Sequence, residues 1–355
     1  MARRKASRKK TARSAAASSP KNFFYRYRWG FLGGVIVLLG LGVAQFLANV
    51  RIPERKTWKI PLSPQARESY SDSLRQVLPT WTVWYWLTYV TPPKAGHYEL
   101  KPGEKAYQVF QRLRRGLQTP VRFYLPPQRS SFHLAAFLGR TLAYDSTAWM
   151  GTFLNYPWER YGLNADTWFV IFIPDVYEVY WTIPPESFIE RMHQSYERFW
   201  NSERRQKAAA LGLSPVEVTI LASIVEWETS RSAEKPLIAS VYLNRLRIGM
   251  PLQADPTVIY ATRDFLTQRV TQRHLQVDSP YNTYQRRGLP PGPIGIPSPS
   301  SIEAVLNYTP SEYLYFCARP DGSGYHDFSV SYAEHQRKAR SYQKALSRWL
   351  AQKKK

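Results

Sequence analysis

The residues best suited to chemistry in this 355-residue chain are two glutamates. Glu226 and Glu228 lie in LSPVEVTILASIVEWETS, a stretch that begins as a helix should. Ser214 is placed as the N-cap, Pro215 at the first helical position and Glu217 three residues after the cap, which is a capping box. A carboxyl on such a helix can give or take a proton if its surroundings hold its pKa near the working pH. Two positions apart on a helix means roughly 200° around it, so both carboxyls cannot enter one cleft. Leu221, Ile224, Val225 and Glu228 share one side. Thr219, Ala222, Ser223, Glu226 and Ser230 share another. Glu226 therefore stands in a stripe of small and hydroxyl side chains that leaves room for a ligand. From the helix alone, a pair of solvated carboxylates is also consistent.

Other reactive types are sparse. Asp255, in LQADPT, is the acid between 213 and 310 that could approach Glu226, but an Asp before a Pro is as readily a turn residue. His326 and His335 are nine apart, with no third ligand at helix or hairpin spacing, so no metal site is expected. No cofactor is expected either. Cys317 is the single cysteine, which excludes an intrachain disulfide and a CxxC pair. Within YLYFCA it reads as a small packed hydrophobe.

The net charge of +23 suggests nucleic acid until it is located. Residues 1–28 carry ten Lys/Arg and no acid, and residues 332–355 a further net +7, leaving +6 for the body. A basic nucleic-acid face needs clustered charge on a folded surface, and none is indicated. Between these ends, Trp29–Val50 is a run of 22 residues without a charge. As a helix it would be about 33 Å long, enough to span a bilayer, and the basic flank before it predicts a cytoplasmic N-terminus. A cleaved signal peptide is the alternative, but the run exceeds a usual h-region and no A-x-A site follows.

Several elements must position the glutamates. Gly96–Pro126 reads as strand (HYEL), Pro-Gly turn, amphipathic helix and second strand (VRFYL). Ala106, Val109, Phe110 and Leu113 form the helix's apolar face, and Gly116 stops it. Residues 66–78 read as a short helix, and Trp81–Val90 as a buried strand or short core helix. Phe169–Ile173 suggests a strand and Pro174-Asp175 a turn. Ser187–Ala210 suggests one long helix. At the end of the chain Tyr332, His335, Ala339, Tyr342, Leu346 and Trp349 recur at spacings of three and four, an amphipathic helix with a basic outer face.

Five strings then occur in order: ASIVEWET (Ala222–Thr229), VYLNRLRIGMPLQADPTVIYA (Val241–Ala261), SPYNTY (Ser279–Tyr284), GLPPGPI (Gly288–Ile294) and YLYFCARPDGSGYHDFSVSYAEH (Tyr313–His335). This closely resembles the YceG-like family, the endolytic murein transglycosylases. FIPDVYEVYW (Phe172–Trp181) resembles the family's upstream FPDTY element, and Gly96–Pro126 is similar to its LysM-like subdomain. The chain departs from the family at Ile296-Pro297-Ser298, where Asn-Pro-Gly is common, and in the Pro-Gln-Arg ending at Arg129, where Glu-Gly is common.

The resemblance implies an α+β protein with a single N-terminal transmembrane helix, a LysM-like subdomain and a mixed α/β catalytic domain. The expected layout is a basic cytoplasmic tail (1–28), membrane helix (29–50), linker and LysM-like subdomain (51–126), connecting part (127–212), catalytic domain (213–350) and basic tail (351–355). It implies anchoring in the bacterial inner membrane, peptidoglycan glycan strands as substrate, and glycan polymerases or penicillin-binding proteins as partners, with no nucleic acid. It places the acid/base on Glu226, with Gln253, Asp255, Tyr281, Asn282, Thr283 and Tyr284 as substrate-binding candidates. Gly288–Pro293 is expected as a rigid loop wall. In the implied reaction the muramyl 6-hydroxyl attacks its own anomeric carbon, so one carboxyl suffices and 1,6-anhydro ends form. A non-catalytic peptidoglycan-binding protein and a water-using muramidase with two carboxylates are the rivals.

Overall fold

The computed structural model describes residues 20–50, 52, 54–63, 92–267 and 269–353. The helix expected at 66–78 and the aromatic run Trp81–Val90 lie outside the described residues. The chain is a mixture of helices and short antiparallel strand pairs, an α+β architecture. It divides into two compact units, residues 1–118 and 119–355.

In the first unit, α1 (Pro20–Leu47) is followed by β1 (Lys56–Ile60), β2 (Gly96–Leu100) and α2 (Ala106–Arg115). Among the described residues no single helix is long and apolar enough to cross a membrane; the apolar part of α1 is Arg28–Ala44. The expected run to Val50 is cut short because its end joins the small core. Ala106 N–H donates to Ala48 O, Val50 N–H donates to Glu104 O, and Val50 is buried with Ile60, Tyr98, Leu100 and Leu113. β1 pairs antiparallel with β2, Trp58 facing Tyr98 in register. α2 buries Ala106, Val109, Phe110 and Leu113, as the spacing predicts, and Gly116 closes it with φ 72°.

The second strand of the expected module belongs elsewhere. β3 (Val121–Tyr124) lies in the second unit and pairs antiparallel with β4 (Val176–Val179). Leu125 continues that contact, its N–H donating to Asp175 O. Between these strands come α3 (Ser131–Thr141) and α4 (Ser146–Asn155). The expected strand at Phe169–Ile173 is instead a 3-10 turn, Trp168–Ile171, with Phe169, Val170 and Ile171 all buried. An apolar run without alternation does not choose between strand and helix. Here Asn164 decides locally, its Oδ1 accepting the N–H of Asp166 and of Thr167 and starting the turn. Trp149, Phe153, Trp158, Trp168, Phe172 and Phe188 interlock in an aromatic cluster beneath it.

The long helix expected at Ser187–Ala210 is two, α5 (Pro185–Phe199) and α6 (Ser202–Ala210). Trp200 is driven into the core and Asn201 caps the second helix through the N–H of Arg204. α7 (Pro215–Glu228) begins with the predicted capping box. Its residues Val218–Val225 are all buried, so it is the central helix and has no solvent face there. Around it pack α8 (Lys235–Arg247), α9 (Asp255–Thr262) and, beyond the short α10 (Gln272–Leu275), α11 (Pro299–Leu306). The antiparallel pair β5 (Tyr315–Ala318) and β6 (His326–Ser329), with α12 (Tyr332–Lys353) against it, completes the unit.

Candidate active site

The C-terminal turn of α7 delivers its two carboxylates into different environments. Glu228 lines a cavity of about 340 Å³. Tyr242, one residue of α8, donates its hydroxyl hydrogen bond to Glu228 Oε1. Arg245, one turn on, lines the same cavity. Its guanidinium donates to Leu314 O at 2.7 Å and Leu252 O at 2.6 Å, so it is fixed as a clamp on both flanking segments. Burial pushes the Glu228 carboxyl up to about 7. The tyrosine hydrogen bond and Arg245 pull against this, and the negative charge of Asp255 adds to it. A carboxyl that exchanges its proton near neutrality beside an open cavity is what a general acid requires.

Glu226 is tied up. Its Oε2 receives Lys235 Nζ at 3.0 Å, Ser298 N–H at 3.1 Å, and the hydroxyls of Ser298 and Ser301. The Glu226 side chain is 13% exposed and that of Lys235 6%. Burial would raise its pKa, but the hydrogen bonds from Ser298, Ser301 and Lys235 outweigh it and hold the carboxyl below the usual range. Glu226 is thus an ionised carboxylate that ties the end of α7 to the start of α8 and of α11. The room expected beside it is filled. Ser223 accepts the N–H of Ile294 at 3.0 Å, so the GLPPGPI loop lies on the small-residue stripe. Two glycines allow close packing of this segment: a Cβ at Gly295 would sit 2.6 Å from Trp227 Nε1 at the end of α7, and one at Gly292 1.9 Å from Asp166 O on the other side. The loop expected as a wall packs against the helix and is not among the cavity's lining residues.

The loop residues divide in the same way. Gln253, Asp255 and Tyr284 line the cavity with Glu228. Tyr284 donates its hydroxyl to Asp255 Oδ1. Asn282 and Thr283 are fully buried and satisfied within the protein. Asn282 Nδ2 donates to Leu275 O and Val277 O, while Thr283 Oγ1 accepts from Ala254 N–H and bonds Thr257. Both hold the loop in shape. Tyr281 donates to Asp166 Oδ1, away from the cavity lining. Tyr242, Arg245, Tyr315 and Tyr332 were not expected at the site, and His335 lines it as well. Tyr242 and Arg245 stand at i and i+3 within VYLNRLR, and that spacing was the available signal.

Gln253 carries a mark of its own. Its φ of 49° is left-handed for a non-glycine residue, held by its N–H to Thr283 O at 3.0 Å. Such strain persists where the surroundings impose it and often marks a working site. Gln253→Gly should raise stability by roughly 0.5–1 kcal/mol, by relieving the conformation, yet weaken substrate binding. Urea unfolding and KM measured together check this, and an unchanged KM removes Gln253 from the binding set.

Residues 70–341 match the YceG-like family. The chain belongs to that family. Of the YceG-like proteins it resembles, the endolytic murein transglycosylase of Bacillus subtilis is 38% identical over 148 residues, 42% of this chain and 39% of that protein. That of Streptococcus pneumoniae is 34% identical over 150 residues, 41% of this chain and 27% of that protein. The matches therefore span well under half the length of these relatives. A crystal structure of a yceG-like protein from Listeria monocytogenes is similar at 27% identity with TM-score 0.54, over 81% of this chain and 99% of that one.

Proposed function

We propose that this YceG-like chain is an endolytic peptidoglycan lytic transglycosylase and that Glu228, not Glu226, is its acid/base. The observation that carries the reading is the Glu228 carboxyl, raised to about 7 and lining a cavity with Tyr242, Arg245 and Asp255. The curated relatives bear the name of that activity. In the reaction the Glu228 proton passes to the glycosidic oxygen as the bond to the muramyl anomeric carbon breaks. The 6-hydroxyl oxygen of the same sugar bonds that carbon, and its proton returns to the Glu228 carboxylate. No water is consumed, and the new end is a 1,6-anhydro sugar. Cutting nascent strands in this way would end their elongation, which makes glycan polymerases such as penicillin-binding proteins natural partners.

Asp255 keeps the hydrolytic reading alive, because it lines the cavity that Glu228 lines. A two-carboxylate muramidase would use it as nucleophile or as base for water. Its hydrogen bond from Tyr284 and its place in the first turn of α9 fit a carboxylate that tunes Glu228 by its charge. Mass spectra of products from uncrosslinked glycan separate the two. Anhydro ends are one water lighter and resist borohydride. Reducible, water-added ends would instead support the muramidase.

The placement of the protein is part of the same proposal: single-pass in the bacterial inner membrane, N-terminus in the cytoplasm, first unit LysM-like. Support comes from the charge-free run after ten basic residues, and from Trp29, Phe31, Ile36, Val37, Leu38 and Leu39, all exposed on α1. Protease added to spheroplasts should digest the part after residue 50 and spare the start. Digestion only after lysis of the membrane would overturn this placement.

A further inference from the structure

The cavity that holds Glu228 and Asp255 also has aromatic lining, including Tyr315 of β5 and Tyr332 and His335 from the first turn of α12. The Tyr315 and His335 rings stack, with centroids 5.3 Å apart and planes 23° apart. Tyr332 lies 5.7 Å from Tyr315 and is 58% exposed, although it is a large aromatic at the start of a helix that packs on β5 and β6. His335 Nδ1 is buried without a partner, and its other ring nitrogen makes no hydrogen bond among the described residues. Burial, then the charge of Arg245, holds its pKa below the usual value, so the ring is neutral at pH 7. A neutral imidazole offers one donor and one acceptor. Arg245 Nε and Nη1 are committed to the Leu314 and Leu252 carbonyls, which fixes the guanidinium in the wall and leaves Nη2 as its remaining nitrogen.

This combination selects a kind of ligand. The charge of Asp255 offsets that of Arg245, and Glu228 and the neutral histidine add no cation, so the lining does not favour an anion. Stacked rings offer an apolar face, and His335 Nε2, without a hydrogen bond among the described residues, offers one polar contact at its edge. A pyranose matches both, with apolar C–H faces and a rim of hydroxyl and acetamido groups. We propose that Tyr332 and His335 form a sugar-stacking platform for an N-acetylhexosamine unit adjoining the scissile bond, with His335 hydrogen-bonding its acetamido or hydroxyl group. The proposal rests on the glycan-cleaving reading of the cavity. It adds the first turn of the C-terminal helix to the substrate site.

Binding without turnover tests it. In the full chain carrying Glu228→Gln, calorimetry with the β-1,4-linked N-acetylglucosamine tetramer gives a reference Kd. Adding Tyr332→Ala or His335→Ala should weaken Kd about tenfold or more. Tyr332→Phe should stay within about twofold, and His335→Phe should fall between, since it keeps the ring and loses the hydrogen bonds. Kd values within about twofold for both alanine variants overturn the platform, as does a reference protein that fails to bind the tetramer. If His335→Ala disturbs folding, Tyr332→Ala still decides, because that ring is 58% exposed. Loss of binding in the alanine variants, with no glycan cleavage by the wild-type chain, would leave the platform standing and remove the catalytic reading instead.

Discussion

Glu228→Gln is expected to lower kcat for glycan cleavage by about 10²–10⁴-fold while the fold survives, the range attached to loss of a general acid or base. The amide oxygen can still accept the Tyr242 hydroxyl, so the contact to α8 persists. The pH profile should carry the same signature. The acid works protonated, so activity should fall as pH rises through about 7. Asp255→Asn removes the negative charge that helps raise Glu228, so this alkaline limb should move to lower pH. Stability follows the same proton. A carboxyl with a folded pKa above its unfolded 4.5 stabilises the fold fully below pH 4.5, and the benefit is lost as pH rises through about 7. At pH 8 the wild type therefore carries the full cost of an ionised Glu228. Glu228→Gln should then be the more stable of the two, on the order of 1–3 kcal/mol by urea unfolding. A variant that cleaves glycan within about tenfold of wild type would exclude Glu228 as the acid.

Local features were legible in the sequence and long-range ones were not. The capping box at Ser214, the buried face of α2 and the stop at Gly116 depend on neighbours within a turn or two, and the structure has them as the spacing implies. The partner of VRFYL could not be read that way, because VYEV lies beyond two intervening helices. The choice between the two glutamates was out of reach for a related reason. Helical geometry separates them correctly, but a helix buried all round has no empty face, and only its neighbours decide which carboxyl meets a cavity. The groups that neutralise Glu226 come from α8 and from Ser298, 72 positions away. The resemblance put the acid/base on Glu226, whereas the contacts and the cavity favour Glu228. Half of the loop candidates proved to line the cavity. Of the YNTY residues Tyr284 lines the cavity, while Asn282 and Thr283 turn inward to loop carbonyls and to Thr257, and Tyr281 bonds Asp166, a division set by partners distant in the sequence.

Glu226→Gln is the complementary test, and here the expected effect is on stability. Glu226 Oε2 gathers Lys235, the Ser298 N–H and two serine hydroxyls. An amide could still accept one or two of these hydrogen bonds, but it leaves Lys235 charged and 6% exposed. Among the described residues the remaining polar contact of its Nζ is Ser298 Oγ at 3.4 Å. Breaking a buried pair on one side typically costs about 3–5 kcal/mol. The urea midpoint should fall accordingly. Glu226→Gln with Lys235→Met should recover much of the loss, because the uncompensated charge goes too. Linkage gives a second check. The Glu226 pKa is lowered on folding, so its contribution is present above the unfolded value of 4.5 and is lost on acidification below it. The single variant should therefore differ from wild type most at neutral pH and converge with it in acid. Activity in the variant should drop only as far as the end of α7 shifts, with the alkaline limb unmoved, since the proton donor remains Glu228. A Glu226→Gln protein as stable as wild type but devoid of cleavage would reverse the assignment and return the catalytic proton to Glu226.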